Sequence, residues 1–135
     1  MVDVGLLVLR VVLGVIFAAH GAQKLFGSFG GPGLEGTAGF HGRLGIKPPY
    51  LMAVLAGLAE FVGCILVAVG FLTPIAAVAL VVTMAVAVLT VHLRNGFFAQ
   101  SGGYEFNLAL AAMALTLLFA GAGALSVDGT LGILW

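Results

Sequence analysis

Five Lys or Arg, five Asp or Glu and three His are nearly all the ionisable groups in 135 residues, so each can be weighed by its position. Arg10 and Glu60 stand inside long apolar runs. At mid-bilayer such a group costs at least roughly 2.5–3.5 kcal/mol unless it is paired or hydrated. Arg10 falls about six residues, some 9 Å, inside its helix, and Glu60 about 16 Å from the same end of an antiparallel neighbour. An axial gap of about 7 Å is within reach of an extended arginine. The spacing therefore predicts an Arg10–Glu60 pair as a buried polar centre. Such a pair serves equally as a register-setting contact without chemistry or as part of a site.

A second group lies nearer the ends of the runs. His20, Lys24, His92, Arg94 and Glu105 all fall at one end, with Phe26, Phe29, Tyr50, Phe97, Phe98 and Tyr104 at the same level. This group suits the polar head of a lipid-soluble carrier such as a quinone. Lys or His would donate to its carbonyls, and a carboxylate would exchange protons. A snorkelling cluster that holds no ligand fits the same residues. Bis-histidine haem ligation by His20 and His92 is conceivable geometrically, but two histidines at unequal depth rank it below a quinone. Gly31-Pro32-Gly33-Leu34-Glu35-Gly36 fits the dinucleotide fingerprint in letters, yet it follows an apolar helix and contains proline where a strand–turn–helix is needed. Cys64 is the single cysteine, so a cysteine-ligated metal or an internal disulfide is unavailable. No metal site is expected.

The elements that must position these residues follow from composition. The chain is 62% hydrophobic and 7% charged, against about a quarter charged in a soluble domain. A soluble fold of this size cannot hide that much apolar surface, and the zero net charge is no footprint for nucleic acid. An all-α polytopic membrane protein is expected, with four transmembrane helices over approximately 4–25, 50–72, 74–93 and 105–123. Each run approaches the ~20 residues that cross a hydrocarbon core. Thr73-Pro74 reads as a tight join, with Thr capping the third helix and Pro in its first turn.

The first loop, 26–49, holds eight glycines together with Leu34, Phe40 and Ile46. It is expected at the membrane interface, with a short helix over Thr37–Leu44, and the 135 residues form one domain. Small or polar stripes run along the predicted helices: Arg10, Gly14, Phe17, Gly21 and Lys24 on the first; Ala53, Gly57, Glu60 and Cys64 on the second; Thr83, Ala87, Thr90 and Arg94 on the third; Glu105, Ala109, Ala112, Thr116 and Ala120 on the fourth. Lys24, Arg43, Lys47 and Arg94 share the side of the first and third loops. The positive-inside rule then puts 26–49 and 94–104 in the cytoplasm and both termini outside. Trp135 is expected at the outer interface.

Several segments carry a resemblance. Arg10-Val-Val-Leu-Gly14-Val-Ile-Phe17-Ala-Ala-His20-Gly21-Ala-Gln-Lys24-Leu-Phe-Gly27 resembles the first-helix signature of the DoxX family of small membrane proteins. Gly45-Ile46-Lys-Pro48, Glu60-Phe-Val-Gly63, Gly70-Phe-Leu-Thr73, Gly103-Tyr-Glu105-Phe-Asn107 and Gly121-Ala-Gly123-Ala-Leu-Ser126-Val-Asp128 resemble its later blocks. Ala122 stands where that family often has proline. The resemblance implies a four-helix protein of the cell (inner) membrane in the DoxD-like group, whose members are associated with quinone-linked oxidoreductases and oxidative-stress complexes. It adds Asn107 and Asp128 to the polar set. Asp128, past the last helix, is expected to clamp the outer mouth near Arg10.

The leading expectation is a membrane subunit of a quinone-linked redox complex that holds a quinone or similar molecule. Arg10 and Glu60 would form its polar centre, and His20, Lys24, His92, Glu105 and Asn107 its headgroup site. A soluble or membrane oxidoreductase partner and a homodimer are compatible with it. The alternatives are a structural or assembly protein without chemistry of its own, and a small-solute or proton pathway.

Overall fold

The computed structural model describes residues 1–133; Trp135 lies outside them. The described residues form helices and turns without a strand. Helix α1 spans Val2–Phe26, α2 Gly33–Arg43 and α3 Pro49–Val69. Helix α4 begins at Thr73 and is α-helical to Ala87. It runs on through a wider turn over Val88–His92 and a tighter one over Leu93–Asn95. Helix α5 spans Glu105–Ala120 and α6 Val127–Thr130. Helices α1, α3 and the Thr73–Asn95 run are long and apolar enough to cross a membrane, and α5 is a shorter apolar helix of 16 residues. The protein is an all-α membrane bundle.

Each boundary has a local cause. Gly27 at φ 71° closes α1 in a left-handed turn, a conformation that carries no Cβ penalty for glycine. Pro49 starts α3 at a position where its missing N–H is harmless. Helix α5 ends at Ala120 rather than at 123, because Gly121 takes a positive φ of 77°. The interfacial helix starts at Gly33, four residues before the expected Thr37.

Helices α1 and α3 are antiparallel and pack closely over small residues. A Cβ on Gly14 would come 2.9 Å from the Ala68 Cβ, and one on Gly21 only 2.8 Å from the Phe61 backbone nitrogen. Lipid tails are as apolar as leucine, so close backbone approach holds such a pair where a hydrophobic drive does not. The core between the helices is filled by Leu13, Phe17, Val67, Leu80, Leu110 and Leu117. The interior stripes expected on α1 and α3 face this core. On α5 the buried positions are Asn107, Leu110, Ala114 and Leu117, while Ala109, Ala112, Thr116 and Ala120 are exposed. Large and small residues occur on both faces of that helix, Ala114 being buried and Phe106, Leu115 and Phe119 exposed, so residue size does not mark its inner face.

Candidate functional site

The buried ionisable residues divide between two ends of the bundle, and the predicted Arg10–Glu60 pair is not formed. Gly14 packs against Cys64 and Ala68, and Arg10 Nη1 donates to the Ala68 carbonyl at 3.2 Å. Ala68 is eight residues, about 12 Å, along α3 from Glu60. Arg10 stands level with the last turn of α3, which ends at Val69, so α1 starts about two turns beyond that end. The helix ends are staggered rather than level, and that offset carries Glu60 out of reach.

At the end that holds the termini, Arg10 is 1% exposed and Asp128 2%. Arg10 Nη2 also donates to the Leu125 carbonyl, and its charge interacts with that of Asp128. A Cβ on Gly70 would stand 2.4 Å from Arg10 Nη1 and 2.5 Å from the Ser126 Cβ, so this glycine makes the room for the guanidinium. Asp128 Oδ1 accepts from the Leu72 N–H at 2.9 Å and Oδ2 from the Thr73 N–H at 3.0 Å. The cap of α4 is therefore Asp128, not Thr73, whose own hydroxyl is buried without a partner. Asp3 Oδ1 accepts from the Ala124 N–H at 2.8 Å. Together these contacts fasten the segment after α5 across this end of α1, α3 and α4.

At the loop end, Glu60 Oε1 is bonded to Lys24 Nζ. The Lys24 side chain is 28% exposed and that of Glu60 1%, so the pair runs from the bundle interior toward a wall of open space. Glu60 Oε2 is buried and unpartnered. Beside the pair, α1, α2, α3 and α4 line a half-open cavity of about 990 Å³, the upper end of the roughly 300–1,000 Å³ of small-molecule pockets. Met52, Leu55 and Ala59 of α3 and Val82 and Val86 of α4 form its apolar wall. All three histidines of the chain, His20, His41 and His92, line it together with Lys24, Thr37 and Arg43.

Helix α2 carries the part that sequence reading missed. Thr37, Phe40, His41 and Leu44 all line the cavity; their spacing of three, four and seven places them on one helical face. That spacing was the available signal, hidden by the glycines between. Three polar atoms of the lining are buried without any partner: His20 Nδ1, Thr37 Oγ1 and His41 Nδ1. Buried polar groups are almost always satisfied; these three belong to lining residues but are themselves closed to water, so a ligand in the cavity meets them only after a small side-chain turn. His92 Nδ1 donates to the Gly102 carbonyl at 2.7 Å, which leaves its Nε2 as the free ring nitrogen. Burial, aided by the nearby Lys24 charge, holds the His41 imidazole below its usual value.

Of the residues expected at a headgroup site, His20, Lys24 and His92 come together here. Glu105 stands at the start of α5, its N–H on the Phe97 carbonyl at 2.8 Å, and is not part of the lining. Asn107 is buried between α5 and α4, with Nδ2 3.6 Å from Met84 Sδ. The described residues contain no cluster of three or more potential metal ligands.

The DoxX family profile matches residues 5–93. The chain belongs to the DoxX family. The matched stretch contains every cavity-lining residue and stops before α5 and α6. The chain is 34% identical over 126 residues to the Bacillus subtilis protein named "Putative oxidoreductase CatD", covering 93% of this chain and 86% of that one. An uncharacterised Haemophilus influenzae protein is 35% identical over 124 residues, 89% of this chain and 85% of its own length. The Escherichia coli inner membrane protein YphA is 30% identical over 128 residues, 91% and 87% of the two chains. No solved structure matches the chain. Like these DoxX relatives, the protein is embedded in a membrane by its apolar helices.

Proposed function

We propose that this DoxX protein is the membrane subunit of a redox or oxidative-stress complex and holds a quinone or similar lipophilic molecule in the cavity between α1, α2, α3 and α4. The carrying observation is the cavity: an apolar wall with three orphaned polar atoms at one end. A lipophile with a polar head would bury its body against α3 and α4, and its oxygens would satisfy Thr37, His20 and His41. Lys24 would stand at the head with Glu60 behind it as a buried carboxylate able to exchange a proton. The oxidoreductase named among the relatives supports a redox setting. By the placement of Lys24, Arg43, Lys47 and Arg94, this end of the bundle faces the cytoplasm, where a soluble oxidoreductase would meet it.

The buried network of Arg10 and Asp128 reads as structural. Its hydrogen bonds tie the two side chains to backbone groups of α3, of the turn into α4 and of the segment after α5. A route through the protein for a solute or proton would have to cross it.

The test is mass spectrometry of the organic extract of the detergent-purified protein, beside its visible spectrum. A quinone is expected in stoichiometric amount from the wild type. Thr37→Val, which removes one hydroxyl at nearly constant shape, and Lys24→Ala are both expected to lower its content with the gel-filtration profile unchanged. An extract with no lipophile above the level of bulk lipid would refute the reading, and a Soret band would replace quinone with haem.

A further inference from the structure

We propose that the head of the molecule held in this cavity is an oxyanion, either the ionised hydroxyl of an acidic quinone or the carboxylate of a fatty acid. The inference rests on the carrier reading above and narrows it.

The charge of the lining carries it. Among the described residues no Asp or Glu lines the cavity, whereas Lys24, Arg43 and three histidines do. Lys24 is compensated by Glu60. Arg43, in contrast, has no carboxylate partner among the described residues and lies over the Phe40 ring, 5.9 Å from its centre. Arg43 is an exposed residue of the lining, and arginine offers a planar fork suited to oxyanions.

The hydrogen-bonding groups point the same way. Thr37 is 3% exposed and its hydroxyl has no partner, so it is free to donate. His20 and His41 each present a buried, unpartnered Nδ1 at the same cavity. A neutral carbonyl would satisfy one or two of these donors. An oxyanion accepts from several at once and gains charge-assisted strength from each.

The experiment measures equilibrium binding to the detergent-purified full chain with two matched pairs. One is a long-alkyl hydroxynaphthoquinone and its methyl ether; the other is a fatty acid of laurate length and the alcohol of that length. Each pair differs in head charge at nearly constant shape, and the pH is set so that both acids are ionised. The acid is expected to bind about tenfold more tightly than its neutral partner. The acid with the higher affinity identifies which source the site takes. Arg43→Gln, a change at an exposed position, is expected to reduce the preference several-fold by weakening the acid more than its methyl ether. Equal affinity for acid and neutral partner, or a preference untouched by Arg43→Gln, would overturn the oxyanion while leaving the carrier reading intact. Failure of all four molecules to bind would overturn both.

Discussion

Asp128 and His41 show how much a single side chain's partners decide. Asp128 caps a helix that begins 55 positions earlier in the chain and sits within reach of the Arg10 charge. Asp128→Asn keeps the shape but loses one acceptor and the counter-charge. It is expected to destabilise the protein by about 1–3 kcal/mol, read as a lower Tm in detergent; an unchanged Tm would remove Asp128 from the outer closure. His41 makes the opposite kind of prediction. Its pKa is depressed in the docked helix by burial and by Lys24, so protons favour the undocked state, where it titrates near the usual value of about 6.5. Docking of α2 is therefore full above that value and weakens as pH falls below it. Amide exchange over Gly33–Arg43, corrected for intrinsic rates, is expected to be faster at about pH 5.5 than at about 7.5. The same shift is expected to vanish in His41→Gln, although His20 and His92 share the cavity. The importance of Glu60 was legible in the sequence, since a lone carboxylate in an apolar run needs a partner. Which cation answered it was not, because that depends on how far α1 is offset along α3, which neither helix's own sequence fixes.

Helix α2 is the element whose character decides access to the cavity. Glycine recurs at 33, 36, 39 and 42 of its 11 residues, and each in a helix interior costs about 1 kcal/mol relative to alanine. The helix exists through its packing on α1 and α3 rather than through its own propensity, which places it at the low-stability end of the fold. Gly39 has open space where a Cβ would stand. Gly39→Ala is accordingly expected to stabilise α2 by up to about 1 kcal/mol and to slow hydrogen exchange across it and release of any bound lipophile. Unaltered exchange would show that propensity does not limit its opening. Gly21 is glycine for another reason, the 2.8 Å approach of a Cβ to Phe61, and substitution there would part α1 from α3. Sequence periodicity found the interior faces of α1 and α3 because small and ionisable residues coincide on them. On α5 they do not coincide, and the face came out wrong.

Seen whole, the bundle is asymmetric from end to end. The end with the termini is fastened by Arg10, Asp128 and Asp3, whereas the loop end holds the cavity and its covering helix. The orientation proposed from the positive-inside rule, with the cavity end in the cytoplasm, is open to a direct test. In a Cys64→Ala background, a membrane-impermeant maleimide applied to intact cells is expected to label Thr130→Cys and to leave Glu35→Cys unlabelled until the membrane is opened. The reverse pattern would invert the orientation and place the site on the outside.

What the sequence determined by itself was the class of the protein and the short list of residues that matter. Both follow from solvation: apolar runs of about 20 residues have no other stable setting than a bilayer, and an ionisable group within one must have a reason. What only the tertiary structure decided was who meets whom. Lys24 rather than Arg10 reaches Glu60, Asp128 rather than Thr73 caps α4, and the short helix expected from Thr37 starts at Gly33 and packs so that Thr37 and His41 reach the cavity. Such pairings rest on axial register and on contacts between segments far apart in the chain, which local composition does not encode.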